Sequence, residues 1–274
     1  MRLFLTVTAA IAAILCLLYV LSLRGRKNGP DLAPFRGFAY AHRGLYGDGI
    51  PENSLAAFRA ARDRGYGIEL DVHLLKDGSL AIMHDSALMR TTGREGILED
   101  LTAGELPGYP LEGTEETIPL FRDVLDLFGG KAPMIVELKP RGDNVDALCL
   151  AACRMLDGYR GAWCLESFDP RCVLWLKRNR PDLIRGQLAE DFRKSPFLKN
   201  IPVFLKFLMT HNIPNFITKP DFIAYRYRER RILSNFLCLR LWHMQGVSWT
   251  LQTREEYDTA VKEGWIPIFE HFLP

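Results

Sequence analysis

Residues 3–23, LFLTVTAAIAAILCLLYVLSL, are an apolar run without a single charged side chain. Roughly 20 such residues cross a bilayer as a helix. Arg2 is the only charged residue before the run, whereas Arg24, Arg26 and Lys27 follow it. The positive-inside rule then predicts a single-pass anchor in the cell membrane, with the rest of the chain on the cytoplasmic side. A cleaved signal peptide fits less well. The run exceeds the usual apolar region of a signal, and no A-x-A-like site follows it. A buried helix of a soluble domain is the third reading. Residues 1–28 are thus read as an anchor with a basic flank. The Gly- and Pro-containing stretch 29–36 is read as a linker, and 37–274 as one folded domain.

Beyond the linker the pattern changes period repeatedly. Short apolar or alternating runs predict strands at 38–42, 68–72, 133–139, 162–168, 183–188, 222–225, 247–251 and 265–269. Residues 75–85 predict a hairpin-like Asp-Gly turn followed by a further short strand. Helical patterns lie between them, at 51–65, 120–128, 146–159, 170–181 and 255–264. The first of these has Asn53 or Ser54 as N-cap and Gly65 just past its end. Strand and helix alternate about eight times, which predicts an α/β fold with a parallel sheet, of a size that suits a closed TIM (β/α)8 barrel. A doubly wound open sheet is the alternative. No glycine-rich dinucleotide fingerprint follows the first strand, which counts against it.

Composition adds limits. The 274 residues are 48% hydrophobic and 25% charged, as in a folded protein. A formal net charge of +2 gives no case for a nucleic-acid partner. The six cysteines contain no C-x-x-C pair, so buried free thiols in a reducing compartment are expected.

The polar residues on the strands carry the chemistry. In GIELDV, Glu69 and Asp71 point to the same face of a strand, about 6.5 Å apart along it. Two buried carboxylates side by side cost free energy unless something positive lies between them. His42 and Arg43 end the first strand, His84 and Asp85 end the third, and Glu137 and Lys139 share a face of the fourth. Four successive strands would deliver these groups to the rim where barrel enzymes place their active sites.

Residues 41–85, AHRGLYGDGIPENSLAAFRAARDRGYGIELDVHLLKDGSLAIMHD, resemble the opening of the glycerophosphodiester phosphodiesterase family in their H-R-G, P-E-N-[ST], E-x-D-V, K-D-G and H-D elements. LMRTTGREG (88–96), VELK (136–139), ESF (166–168) and VSWTL (247–251) are similar to later family elements. The resemblance is dense to about residue 168 and thin from 190 to 245.

It implies a TIM-barrel phosphodiesterase that hydrolyses glycerophosphodiesters to glycerol 3-phosphate and an alcohol. Glu69, Asp71 and Glu137 would be the metal ligands, His42 and His84 the acid–base pair, and Arg43 a phosphate contact. An all-carboxylate set favours a hard divalent ion, Mg²⁺ or Ca²⁺, over zinc. Arg43 can grip a phosphate with two N–H groups. Which histidine is acid and which base is left open, as is direct water attack against a cyclic phosphate intermediate.

Glu52, Lys139 and Trp249 are further candidates for substrate contact. Glu52 reaches the metal or a substrate hydroxyl, or else helps start its helix. Lys139 contacts phosphate or neutralises the carboxylates. Trp249 is a pocket wall or core packing. Asp85 is placed to hold His84 or its loop, and His73 reads as supporting.

The end of the chain, EGWIPIFEHFLP, departs from the family's Thr-Asp-containing close. The departure is expected to leave the metal and histidine positions untouched. Residues 195–242 mix apolar runs with Arg and Lys, and read as amphipathic helices outside the barrel or as a membrane-interfacial surface. An anchor at the N-terminus makes membrane lysophospholipids plausible substrates beside soluble glycerophosphodiesters. A phospholipase C-like lyase and a non-catalytic phospholipid-headgroup sensor are alternatives from other classes. The carboxylate set argues against a metal-free lyase, and retention of both histidines against a sensor.

Overall fold

The computed structural model describes residues 1–194 and 201–274. Helix α1 (Arg2–Ser22) is followed by strand β1 (Tyr40–His42), helix α2 (Leu55–Asp63), and strands β2 (Gly67–Leu74) and β3 (Leu80–Ile82). Then come α3 (Met89–Thr92), α4 (Phe121–Phe128), β4 (Met134–Leu138), α5 (Val145–Leu156), β5 (Trp163–Ser167), α6 (Pro170–Asn179) and β6 (Arg185–Ala189). The chain ends with α7 (Val203–Thr210), α8 (Asn215–Thr218), β7 (Phe222–Arg226), α9 (Leu233–Phe236), β8 (Gln245–Leu251), α10 (Arg254–Lys262) and β9 (Trp265–Phe269).

Strands β1, β2, β4, β5, β6, β7, β8 and β9 pair in parallel in that order, and β9 returns to β1. This is a closed eight-stranded barrel with helices outside it, the TIM architecture. The barrel staves are almost wholly buried, with helices covering their outer faces. Outside the staves, Phe58, Phe121, Phe128, Leu148 and Leu176 seal helices against the sheet.

β3 is not a stave. It runs antiparallel to β2, with Leu74 opposite Leu80 and Val72 opposite Ile82. The β2–β3 hairpin therefore rises above the rim and comes back down, and the Met83 amide donates to the Asp71 carbonyl. His84 is delivered to the rim by a returning strand, not by a fourth parallel one. The loops that follow, to about residue 120, pack a small core of their own around Leu88, Leu98, Leu106 and Ile118.

Helix α2 starts at Ser54, whose Oγ accepts from the Ala57 amide. Asn53 is freed from capping, and its side chain turns into the barrel mouth. At the opposite end of the barrel Phe35 is buried, with the Tyr40 hydroxyl donating to its carbonyl at 2.9 Å. All six cysteines are free; five are buried, and Cys16 is exposed on α1.

Candidate active site

Barrel register brings the acids together. Asp71 pairs with Glu137 across β2 and β4, and Glu137 pairs with Glu166 across β4 and β5, so three neighbouring staves present a carboxylate at one level. Glu69 lies two residues below Asp71 on the same inward face, level with His42. One oxygen each from Glu69, Asp71 and Glu137 falls within a 4.8 Å cluster, and all three residues are buried.

The charge balance of the cluster is incomplete. Burial, with the neighbouring carboxylates, pushes Glu69 and Glu166 well above the usual carboxylate range. Burial likewise raises Glu137 to about 7, although Lys139 pulls the other way. Asp71 behaves differently. Burial opposes its ionisation, but Lys139, His84 and Arg43 hold it low. Lys139 Nζ sits 3.0 Å from Asp71 Oδ1 and 2.8 Å from Glu137 Oε2. Asn53 Nδ2 donates to Asp71 Oδ2 at 2.9 Å. Glu166 Oε2 is buried without a hydrogen-bond partner. Clustered oxygen donors, three raised acids and an orphaned carboxylate oxygen suit a hard divalent cation.

Two histidines flank this cluster, each tied through Nδ1 to a carboxylate. His42 Nδ1 lies 2.6 Å from Glu270 Oε2, and its Nε2 is 3.9 Å from Glu69. His84 Nδ1 lies 2.6 Å from Asp85 Oδ1. With Nδ1–H donating to the carboxylate, Nε2 of each ring is left for a substrate. Burial lowers the His42 pKa; burial and the nearby Lys139 bring His84 down to about 4. Both shifts favour the neutral ring.

Arg43 adopts a left-handed backbone conformation (φ 55°) at the turn after β1. This turn aims its amide at Glu69 Oε2, 3.2 Å away, and its guanidinium at both oxygens of Glu52, at 2.9 and 3.0 Å. Glu52 is clamped from the other side by Arg90, at 2.6 and 3.0 Å. Arg90 also pairs with Asp85. Glu52 thus spaces two arginines and does not cap α2.

Trp249 is half-buried in the pocket wall. Its ring meets Phe168 edge-on at 5.5 Å and carries the Arg226 guanidinium at 5.0 Å. His73 is buried and bonded to Glu99 at 2.8 Å. It continues the Glu69–Asp71 face behind the site.

The expectation that the divergent C-terminus leaves the histidines untouched is corrected. Glu270, one residue beyond β9, is the direct partner of His42. It also accepts from the Tyr46 hydroxyl at 2.9 Å and from Gln252 Nε2 at 2.9 Å. Burial opposes ionisation of Glu270, but the His42 hydrogen bond holds it at about 2. Sequence reasoning also passed over Glu166 and Arg90. For Glu270 and Glu166 the signal was present: each lies at the C-terminal end of a barrel strand.

These groups open into a cavity of about 940 Å³. Charged residues line one side. The other is formed by Phe168, Leu188, Phe192, Leu205, Met209 and Trp249.

A sequence model described as the glycerophosphoryl diester phosphodiesterase family matches residues 42–192, more than half of the chain. The chain belongs to this family. A glycerophosphodiester phosphodiesterase of Bacillus altitudinis is 40% identical over 107 residues, covering 36% of this chain and 43% of that protein. A lysophospholipase D of Rattus norvegicus is 35% identical over 112 residues, covering 36% of this chain and 35% of that protein. The chain thus spans less than half the length of these relatives. The solved structure of an Oleispira antarctica phosphodiesterase in complex with the product sn-glycerol-3-phosphate superposes with a TM-score of 0.70 at 20% identity. That match covers 85% of this chain and 92% of that one, and bears out the barrel fold.

Proposed function

We propose that the chain is a divalent-metal-dependent glycerophosphodiester phosphodiesterase. The observation that carries this reading is the buried Glu69–Asp71–Glu137 oxygen cluster beside two carboxylate-oriented histidines. Glu69, Asp71 and Glu137 would hold Mg²⁺ or Ca²⁺. Such an ion, when bound, polarises a phosphoryl oxygen and offsets charge developing in the transition state.

The chain's own groups do the rest. Arg43, and Lys139 once drawn from the carboxylates, bind the phosphate oxygens. Nε2 of one histidine takes the proton from the attacking water, or from a substrate hydroxyl whose cyclic phosphate product water then opens, and Nε2 of the other donates a proton to the departing alcohol oxygen as the P–O bond breaks. The histidine that donates must carry its proton when substrate is bound, against the direction in which burial pushes both rings. The substrate's phosphodiester anion favours that charge. Glu52, held between Arg43 and Arg90, is placed to keep the phosphate-binding arginine in register. We assign Trp249 to the substrate wall.

The apolar half of the cavity favours a second substrate class, lysophospholipids, in the same reaction. Helix α1 is long and apolar enough to cross a membrane. We read residues 1–28 as the anchor and its flank, 29–36 as the connection and 37–274 as the barrel, on the cytoplasmic side. The test is release of glycerol 3-phosphate from glycerophosphocholine and lysophosphatidylcholine, each with and without chelator. Folded, metal-loaded protein that turns over neither substrate would overturn the assignment in favour of headgroup binding.

A further inference from the structure

A second cavity, of about 680 Å³, lies at the opposite end of the barrel from the catalytic rim. Arg185, the first residue of β6, lines it, and so does Lys219, shortly before β7 begins at Phe222. The staves run parallel, so both residues stand at their N-terminal ends, away from the active-site groups. The two cavities share no lining residue. Six cations line this one: Arg24, Arg26, Lys27, Lys177, Arg185 and Lys219. No acidic side chain lines it among the described residues.

Most of these cations are held by neutral carbonyls. Lys219 Nζ donates to the Arg24 carbonyl at 2.9 Å, Lys177 Nζ to that of Ile217 at 2.7 Å, and Arg26 Nη1 to that of Pro181 at 2.6 Å. Arg185 Nη2 donates to the Lys219 carbonyl at 2.8 Å. A carbonyl fixes a cation in place without cancelling its charge. Among the described residues, Arg26 is the one cation of the six in an ion pair, 2.9 Å from Asp221. The other Asp221 oxygen accepts from the Arg185 backbone amide at 3.0 Å. Gly29 passes so close to this pair that a β-carbon there would lie 2.2 Å from Asp221 Oδ1. Arg185 is 2% exposed, and its Nη1 is buried without a hydrogen-bond partner. Burial, together with the positive charges of Arg24 and Lys177, lowers the Lys219 pKa. Like charges gathered in one partly buried place repel unless an opposite charge lies among them.

We propose that this basic cavity is a second anion site, built for a phosphate group and placed just after the C-terminal end of α1. A phosphate offers several oxygens at once to guanidinium and ammonium N–H groups, and the free Nη1 of Arg185 supplies an unspent donor. A bound phosphate would bridge the connection that follows α1, through Arg24, Arg26 and Lys27, to Lys177, Arg185 and Lys219 on the barrel. It would thereby fasten the connection to the barrel floor. The phosphate has two sources, a phospholipid headgroup or the free anion. Helix α1 gives the reason for the first. Every position from residue 1 to residue 18 is exposed, about 27 Å of helix at 1.5 Å per residue, close to a bilayer core. Arg24 lies about 9 Å further along, at headgroup depth, where basic pockets take anionic lipids. The lipid source rests on reading α1 as an anchor, whereas the anion site itself does not.

The test uses the full chain in neutral-detergent micelles, with chelator present so that no metal draws phosphate to the catalytic carboxylates. Inorganic phosphate is titrated by calorimetry, alone and with phosphatidic acid in the micelles. One equivalent should bind. Arg185→Gln should weaken it on the order of tenfold or more, the scale of a lost charge-assisted hydrogen bond. The double variant Lys27→Gln, Lys177→Gln should do the same and leaves the buried guanidinium in place, which keeps the test open where Arg185→Gln does not fold. Arg43→Gln, on the catalytic rim, should leave the binding unchanged. Phosphatidic acid that displaces phosphate, or binds where the free anion does not, assigns the headgroup as the ligand. Phosphate binding that the lipid leaves intact assigns the free anion. Wild-type affinity in the variants of the basic cavity would overturn the proposal, as would loss of binding in Arg43→Gln or the absence of binding of either ligand. The readout needs no turnover, so its failure is distinct from failure of the phosphodiesterase reading.

Discussion

The two sides of the barrel mouth are built on different physics. From β1 to β5 the rim is ionic. Glu52, Glu69, Asp71, Asp85 and Glu137 are matched against Arg43, Arg90, Lys139 and two histidines, in contacts mostly near 3 Å. From β6 to β8 the rim is largely apolar and aromatic, supplied by Leu188, Phe192, Leu205, Met209 and Trp249, with the Arg226–Glu190 pair among them. Charges act over fixed distances and directions, so the ionic side tolerates few residue types at few spacings, and it produces motifs. An apolar wall needs volume and surface, which many sequences supply. The family match spans residues 42–192 and leaves Leu205, Met209 and Trp249 of the aromatic side outside it.

Removal of the metal should separate the two sides most sharply. Chelation, or Glu69→Gln or Glu137→Gln, should bring glycerol 3-phosphate release down to background on every substrate, with the fold intact by circular dichroism. His42→Ala and His84→Ala should each lower kcat on the order of 10²–10⁴-fold. Both effects belong to the ionic side, so neither should depend on whether the substrate carries an acyl chain.

Glu270→Gln is expected to cost about 10–100-fold, the usual range for a group that orients another. As a positioning residue it should also move the pH profile, because Glu270 supports the charged form of His42. A lower pKa on the His42 limb is the expected result. An unchanged profile would leave Glu270 a structural role only.

The raised pKa of Glu137, about 7 without metal, has two consequences. Metal binding at pH 7 should release protons, and affinity should weaken as pH falls below 7. Calorimetry in buffers of different ionisation enthalpy measures this. For the metal-free fold the sign is opposite. An acid raised on folding contributes stability that is present below about 4.5 and is lost as pH rises through about 7. The metal-free protein should therefore melt at lower temperature at pH 8 than at pH 5, and added metal should recover more at pH 8.

The smallest effect tests the apolar side. Trp249→Ala should raise KM for lysophosphatidylcholine on the order of tenfold, the scale of losing one large buried apolar contact. KM for glycerophosphocholine should change little. Equal effects on both would make the aromatic wall a support for the headgroup, not the acyl chain.

Strand and helix periods, the capped helix after the first strand, and the inward faces of Glu69, Asp71, Glu137 and Lys139 were legible along the chain. Each depends on neighbours a few residues apart, and alternation in a strand or the turn of a helix dictates which side a residue takes. What only tertiary structure decided is who meets whom across the barrel. Glu270 reaches His42 because β9 closes onto β1, a contact between residues 228 positions apart. His84 reaches the rim because β3 turns back. Glu52 became a spacer because Arg90 arrives from a distant loop. Local rules govern direction within an element, whereas barrel closure, register and the packing of long loops determine its partners.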